Sequence, residues 1–279
     1  MNAYDRNPSL RDAVYGAAVG DALGVPFEFM QRDTFTCVDM QTGGAHNQPA
    51  GTFSDDTSMM LATCDSIRER GEIDVQDMRQ KFNDWYRGGA YTADGTVFDV
   101  GNTVASALNQ GQGCSGERSN GNGSLMRIAP LAYLPATDDD VRAVSAITHA
   151  HSVSTESCVC FVKLLRGLID GGTLQDVLPD CVPEGKLFAF LTDVVTSPRD
   201  EIGSGGFVLH TLGAAIWCFA NTDNYADCVR VAVNLGSDSD TTACVAGALA
   251  GAVYGYDAIP AEWIAALRGK DVIEACLFA

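Results

Sequence analysis

Ser54-Asp55-Asp56-Thr57 and Asp238-Ser239-Asp240-Thr241-Thr242 each gather two carboxylates and neighbouring hydroxyls into a short run. Hard divalent cations such as Mg²⁺, Ca²⁺ and Mn²⁺ take oxygen ligands, and carboxylates brought from distant parts of a chain can enclose them. The same residues suit the start of a helix, where a Ser or Asp side chain caps free N–H groups and negative charge offsets the macrodipole. One acidic residue meets that need; two followed by Thr, occurring twice, exceed it. On these residues alone, capping and chelation are both open.

Both runs head helical patterns. After Ser54, Met60, Cys64 and Ile67 recur at helical spacing, Arg68 and Arg70 fall in the last turn, and Gly71 supplies a stop. The segment after Asp240 carries Ala243, Ala246, Gly247, Ala248, Ala250, Gly251, Ala252 and Gly255. Glycine inside a helix costs roughly 0.5–1 kcal/mol relative to alanine, so several together predict close contact with another helix. That contact would bury Asp238 and Asp240, which have no basic residue nearby in sequence to pair with, and this favours metal.

Elsewhere a capping box at Ser9 and Asp12 precedes Leu10, Ala13, Val14, Ala17 and Ala18, with a stop at Gly24-Val25-Pro26. Helical period continues over 75–87, from Asp138 through Val141, Val144 and Ile147, and over 155–169, 206–220, 225–234, 240–254 and 260–268, the last with Pro260 in its first turn. Strand-like alternation is nearly absent, and glycine-rich stretches at 43–44, 111–123 and 203–206 read as loops. No repeat or low-complexity linker divides the chain. The expected fold is all-α, a single domain of packed helices over residues 1–279.

Composition excludes several classes. A formal charge of −18 without basic runs argues against a nucleic-acid partner, which needs a cationic stripe to release counterions. No apolar run approaches the roughly 20 residues that span a bilayer, and Met1–Arg6 leads into no apolar stretch, so a cytoplasmic protein without membrane contact is expected. The ten cysteines are scattered singly among apolar residues, and Cys158-Val159-Cys160 is no zinc spacing, so reduced core thiols are expected.

Five ordered patterns stand between residues 10 and 256: Gly16–Gly24 (Gly-Ala-Ala-Val-Gly-Asp-Ala-Leu-Gly) with Glu28; Ser54–Thr57; Phe98-Asp99-Val100-Gly101-Asn102-Thr103; Gly121-Asn122-Gly123-Ser124-Leu125-Met126-Arg127; and Asn234–Thr241. In this order and spacing the chain resembles the ADP-ribosylglycohydrolase family, the group that includes the dinitrogenase reductase activating glycohydrolases. The resemblance implies an all-α domain with a binuclear Mg²⁺ or Mn²⁺ centre at the base of an ADP-ribose cleft. It implies Ser54, Asp55 and Asp56 as one ligand group and Asp238, Asp240 and Thr241 as the other, with Ser54 standing where the family more often has Thr. It implies Glu28 and Asp99 as catalytic carboxylates, Asn102 and the Gly121-Asn122-Gly123 loop as substrate contacts, His149 near the cleft, and Phe207 as an aromatic over the substrate.

The activity so implied is metal-dependent release of ADP-ribose from modified protein by a monomer, with Asp99 tilting the choice toward the N-glycosidic bond of ADP-ribosylarginine. The alternatives are hydrolysis of an O-linked (serine or other) ADP-ribose and a non-catalytic ADP-ribose-binding or toxin-neutralising role. Asp238-Ser239-Asp240-Thr241 also fits the Asp-x-Asp-x-Thr loop of phosphatases resembling the haloacid dehalogenases, but helical surroundings and a C-terminal position weigh against it.

Overall fold

Gly16, Gly20 and Gly24 lie on one face of the first helix, and the fold is built on what that face meets. The structure, a computed structural model, describes residues 8–279. Its α-helices are α1 (Leu10–Gly24), α2 (Asp55–Arg70), α3 (Val75–Gly88), α4 (Asn102–Gln110), α5 (Asp138–Ser145), α6 (Ser152–Ile169), α7 (Leu174–Cys181), α8 (Phe190–Asp193), α9 (Val208–Ala220), α10 (Tyr225–Val233), α11 (Ser239–Tyr254), α12 (Ala261–Ala266) and α13 (Lys270–Cys276), joined by short 3₁₀ turns. Among the described residues β-pairing is limited to isolated bridges, including Cys114 with His149 and Gly121 with Phe207.

The small-residue helix α11 is buried along its length against α1, as its composition predicts. A Cβ on Gly16 would lie 2.2 Å from the Gly247 carbonyl oxygen, one on Gly20 2.1 Å from that of Ala243, and one on Gly24 2.4 Å from the Asp240 Cα. No larger residue allows this approach, and its consequence for function is direct. It seats Gly24, three residues after Asp21 on α1, directly against Asp240 in the first turn of α11.

Helix α2 enters the same core. Ser54 caps it, accepting from the Asp56 N–H at 3.3 Å, and Gly71 closes it in the left-handed region at φ 71°. Lys81 on α3 donates to Asp65 at 2.7 Å and Tyr91 donates to the same carboxylate at 2.8 Å, pinning α2 to α3. The ten cysteines are free, and all but Cys114 are buried. No helix among the described residues is long and apolar enough to cross a membrane.

Two sequence expectations shift by a few residues. The helix opening at Asp138 ends at Ser145, leaving Ile147 buried in the following turn. The last predicted helix is shorter, Ala261–Ala266, with Pro260 at the cap instead of the first turn. Helices α7 and α13, both short, fall outside the segments read as helical from the sequence, although Leu174, Val177, Leu178 and Cys181 of α7 keep helical spacing around Pro179.

Candidate functional site

The two acidic runs meet. The Thr241 hydroxyl, in the first turn of α11, donates to Asp56 Oδ1 at 3.3 Å, in the first turn of α2, although 185 residues separate them. Ser54 serves its helix as a cap, whereas Asp238 stands at the α11 cap position with no side-chain capping bond. Its carboxylate instead accepts from the Asn122 amide at 2.8 Å. A side-chain capping bond therefore accounts for Ser54 and does not account for Asp55, Asp56, Asp238 or Asp240.

Asp21 on α1 holds the first run in place. It is fully buried and accepts from the Ser54 N–H at 2.9 and 3.1 Å, the Thr57 N–H at 3.0 Å and the Thr57 hydroxyl at 2.6 Å. Sequence reasoning placed Asp21 in a motif but gave it no task. The short loop after α1 then delivers Glu28, whose carboxylate lies within 4.8 Å of ligand atoms of both Asp238 and Asp240.

Electrostatics weigh on the choice between a polar core and an ion site. Burial pushes the Asp55, Asp56 and Asp240 carboxyls well above the usual carboxylate range, and their mutual charge adds to it. Glu28 is pushed up to about 9, by burial first and then by the charges of Asp99, Asp238 and Asp21. Asp99 and Asp238 are also raised, again chiefly by burial. Buried carboxylates in such number cannot all ionise without counter-charge. Asp56 Oδ2 and Asp240 Oδ2 are moreover buried without a hydrogen-bond partner. Orphaned oxygens, facing runs and an all-oxygen donor set fit a hard divalent cation.

The runs floor a cleft of about 540 Å³ whose lining includes Glu28, Asp55, Asp56, Asp99, Asn102, Gly121, Asn122, Gly123, His149, Asp238 and Thr241. Ser54 and Asp240 are buried. Asp99 does not cap α4; Gly101 holds that position, and Asp99 adopts φ 52° with its Oδ1 3.7 Å from His46 Nε2. The same Nε2 is 2.5 Å from Glu28 Oε2. His46 therefore joins the two candidate catalytic carboxylates, a role no motif announced, because it sits alone in a loop closed by the Gly43–Gln48 bridge.

The glycine-rich loop is tied down from behind. Asn122 turns its side chain inward to Asp238 and Thr211 and donates its N–H to the Gly206 carbonyl at 3.1 Å, so its amide is a brace for the acidic floor. Arg127, fully buried, donates to the carbonyls of Gly123 and Val144 and to Thr148 Oγ1, and its guanidinium lies 4.7 Å from the Phe82 ring centroid. Thr148 in turn bonds His149 Nδ1 at 2.9 Å. Burial, then the Arg127 charge, lowers His149 to about 3, so it faces the cleft neutral. A Cβ on Gly123 would lie 2.8 Å from the His149 ring, which explains the glycine.

Phe207 lies elsewhere. It lines an adjacent apolar cavity of about 430 Å³ with Phe190, Leu209 and His210, although its backbone pairs with Gly121. The aromatic that does line the acidic cleft is Phe29. Arg118 is the one Lys or Arg in that lining, and the α4 N-terminus, with no acid in its first turn, adds N–H groups suited to an anion.

The family model described as ADP-ribosylglycohydrolase matches residues 2–279. The chain is 36% identical over 278 residues to the ADP-ribosylarginine hydrolase Tri1 of Serratia proteamaculans, covering 94% of this chain and 76% of that protein. It is 31% identical over 283 residues to the ADP-ribosyl-[dinitrogen reductase] glycohydrolase of Rhodospirillum rubrum, covering 94% and 92%. A solved structure described as an ADP-ribosylglycohydrolase-related protein complex superposes with a TM-score of 0.78 at 32% identity, over 95% of this chain and 94% of that one.

Proposed function

The chain belongs to the ADP-ribosylglycohydrolase family, and from that premise we propose that it is a metal-dependent hydrolase that releases ADP-ribose from modified protein by cleaving the N-glycosidic bond of ADP-ribosylarginine. The observation that carries the metal dependence is the meeting of Asp56 and Thr241 with two buried carboxylate oxygens left unpartnered beside them. Ser54, Asp55 and Asp56 would hold one divalent cation and Asp238, Asp240 and Thr241 a second, Mg²⁺ or Mn²⁺. Bound there, the cations supply Lewis acidity toward a ribose diol and an activated water.

The remaining work falls to the chain itself. Burial, the largest cause of the tight hold of Glu28 on its proton, acts whether or not cations neutralise its neighbours, so Glu28 is suited to hand that proton to the guanidine released as the glycosidic C–N bond breaks. His46, with Nε2 bonded to Glu28 Oε2 and 3.7 Å from Asp99 Oδ1, orients Glu28 and faces Asp99. The pyrophosphate would be held by Arg118, the α4 N-terminus with Asn102, and the Gly121–Gly123 loop, with His149 as a neutral hydrogen-bonding wall. This supplies anion contacts in a chain whose net charge is −18.

A panel of arginine-, serine- and nucleic-acid-linked ADP-ribose, assayed with each metal, tests the reading. Release from the arginine linkage with Mg²⁺ or Mn²⁺ is expected. Faster release from the serine linkage would reassign the substrate, and ADP-ribose binding without turnover on any of the three would make the protein a binding module.

A further inference from the structure

Among the described residues Phe29 is the most exposed large apolar side chain, at 67%, and it directly follows Glu28. Its backbone sits at φ 66°, a left-handed conformation that a bulky aromatic rarely adopts. Strain of this kind survives only where the surroundings impose it. Here they do: the Phe29 N–H donates to the Ser237 carbonyl at 2.7 Å, and the Ser237 N–H donates to the Met30 carbonyl at 2.8 Å. The segment is thus clamped to the residue preceding Asp238, and the ring is held at the lining of the acidic cleft.

We propose that Phe29 stacks on the guanidinium of the modified arginine and so selects the arginine-linked substrate, an inference that rests on the ADP-ribosylarginine reading above. The ring lies beside the reacting groups. Its centroid is 5.9 Å from that of His46, the side chain joining Glu28 to Asp99, and the Phe98 ring is 5.2 Å from the same imidazole. A leaving group departing past Glu28 therefore meets an aromatic ring and the Asp99 side chain together. A guanidinium is planar, weakly hydrated and cationic, so it gains from both, by stacking on the ring and by its charge near Asp99. A serine hydroxyl offers neither a plane nor a charge.

The test uses Phe29→Asn, because asparagine tolerates the left-handed backbone and removes only the ring, with Phe29→Trp as the conservative variant and thermal unfolding to confirm folding of both. Kinetics are measured on ADP-ribosylarginine protein, and ADP-ribose affinity by calorimetry, with Mn²⁺ present throughout. Phe29→Asn should raise KM for the arginine-linked substrate about tenfold while the Kd for ADP-ribose moves less than twofold, and Phe29→Trp should restore KM. A parallel loss of ADP-ribose affinity would mean the ring stacks on the nucleotide and would overturn the proposal, as would an unchanged KM. Wild-type protein without turnover on the arginine linkage would sink the functional reading and this inference with it, whereas turnover indifferent to Phe29→Asn sinks only the stacking.

Discussion

Replacing Asp21 with Asn keeps its shape and removes the anchor of the first ligand run. Asp21 Oδ2 accepts from the Thr57 N–H at 3.0 Å, the Thr57 hydroxyl at 2.6 Å and the Ser54 N–H at 3.1 Å, while Oδ1 accepts from the Ser54 N–H at 2.9 Å. An amide nitrogen placed at Oδ2 confronts the Thr57 N–H with another donor; flipped, it confronts the Ser54 N–H. The Thr57 hydroxyl can turn and accept; with the nitrogen at Oδ2 the buried Thr57 N–H loses its partner, at roughly 1–3 kcal/mol, whereas in the flipped orientation the Ser54 N–H keeps its 3.1 Å bond to the remaining oxygen against a facing donor, at the low end of that range. An opposing effect is that burial raises Asp21 to about 6, so near neutral pH it is mostly ionised and repels Asp55 and Asp56. Its loss relieves that repulsion in metal-free protein and gives no such relief when cations neutralise the site. We therefore expect about 1 kcal/mol of destabilisation, or about 2 °C in Tm, with Mn²⁺ bound and less without it. Mn²⁺ affinity should fall about 10- to 100-fold as the start of α2 loosens. Scanning and titration calorimetry on stripped protein measure both. A Tm loss with Mn²⁺ affinity within threefold of wild type would refute the anchoring role, and an unchanged Tm would refute the hydrogen-bond argument.

Gly20→Ala puts a Cβ 2.1 Å from the Ala243 carbonyl oxygen, forcing α1 and α11 apart; the expected cost is about 1–3 kcal/mol despite alanine's better helix propensity, read by denaturant unfolding, with reduced Mn²⁺ affinity as the functional trace. The pH dependence of metal-free stability follows from carboxyls raised in the fold. Protons bind more tightly to the folded than to the unfolded chain, so this contribution is complete below the ordinary Glu value of 4.5 and is lost as pH rises toward about 9 for Glu28. Metal-free Tm should fall over that window, and the Tm gain on adding Mn²⁺ should be larger at pH 8 than at pH 5.

What was legible in the sequence was whatever residue type alone encodes. Two acidic pairs flanked by hydroxyls announced an ion site, because they exceed what a helix cap needs, and a run of Ala and Gly announced the tight contact of α11 with α1, because glycine in a helix needs a compensating contact. Side-chain direction was not legible. Asn122 belongs to the glycine-rich loop as expected, yet its amide braces Asp238, and Phe207 pairs through its backbone with that loop while its ring enters the neighbouring cavity. His46 gave no signal because a single His between Gly44 and Pro49 has no periodicity, and only the closed turn brings it to Glu28. Arg118 was hidden in an irregular loop, where neither charge runs nor helical spacing apply.

The central claim is that the two acidic runs form one metal centre on which hydrolysis depends. Its most direct test is single-turnover release of labelled ADP-ribose from ADP-ribosylarginine protein, by metal-stripped protein before and after Mn²⁺ is restored, beside Asp55→Ala and Asp240→Ala. Release should be absent in the stripped protein, return with Mn²⁺, and stay absent in both variants, one from each run. Turnover by the stripped protein, or wild-type turnover in either variant, would contradict the account.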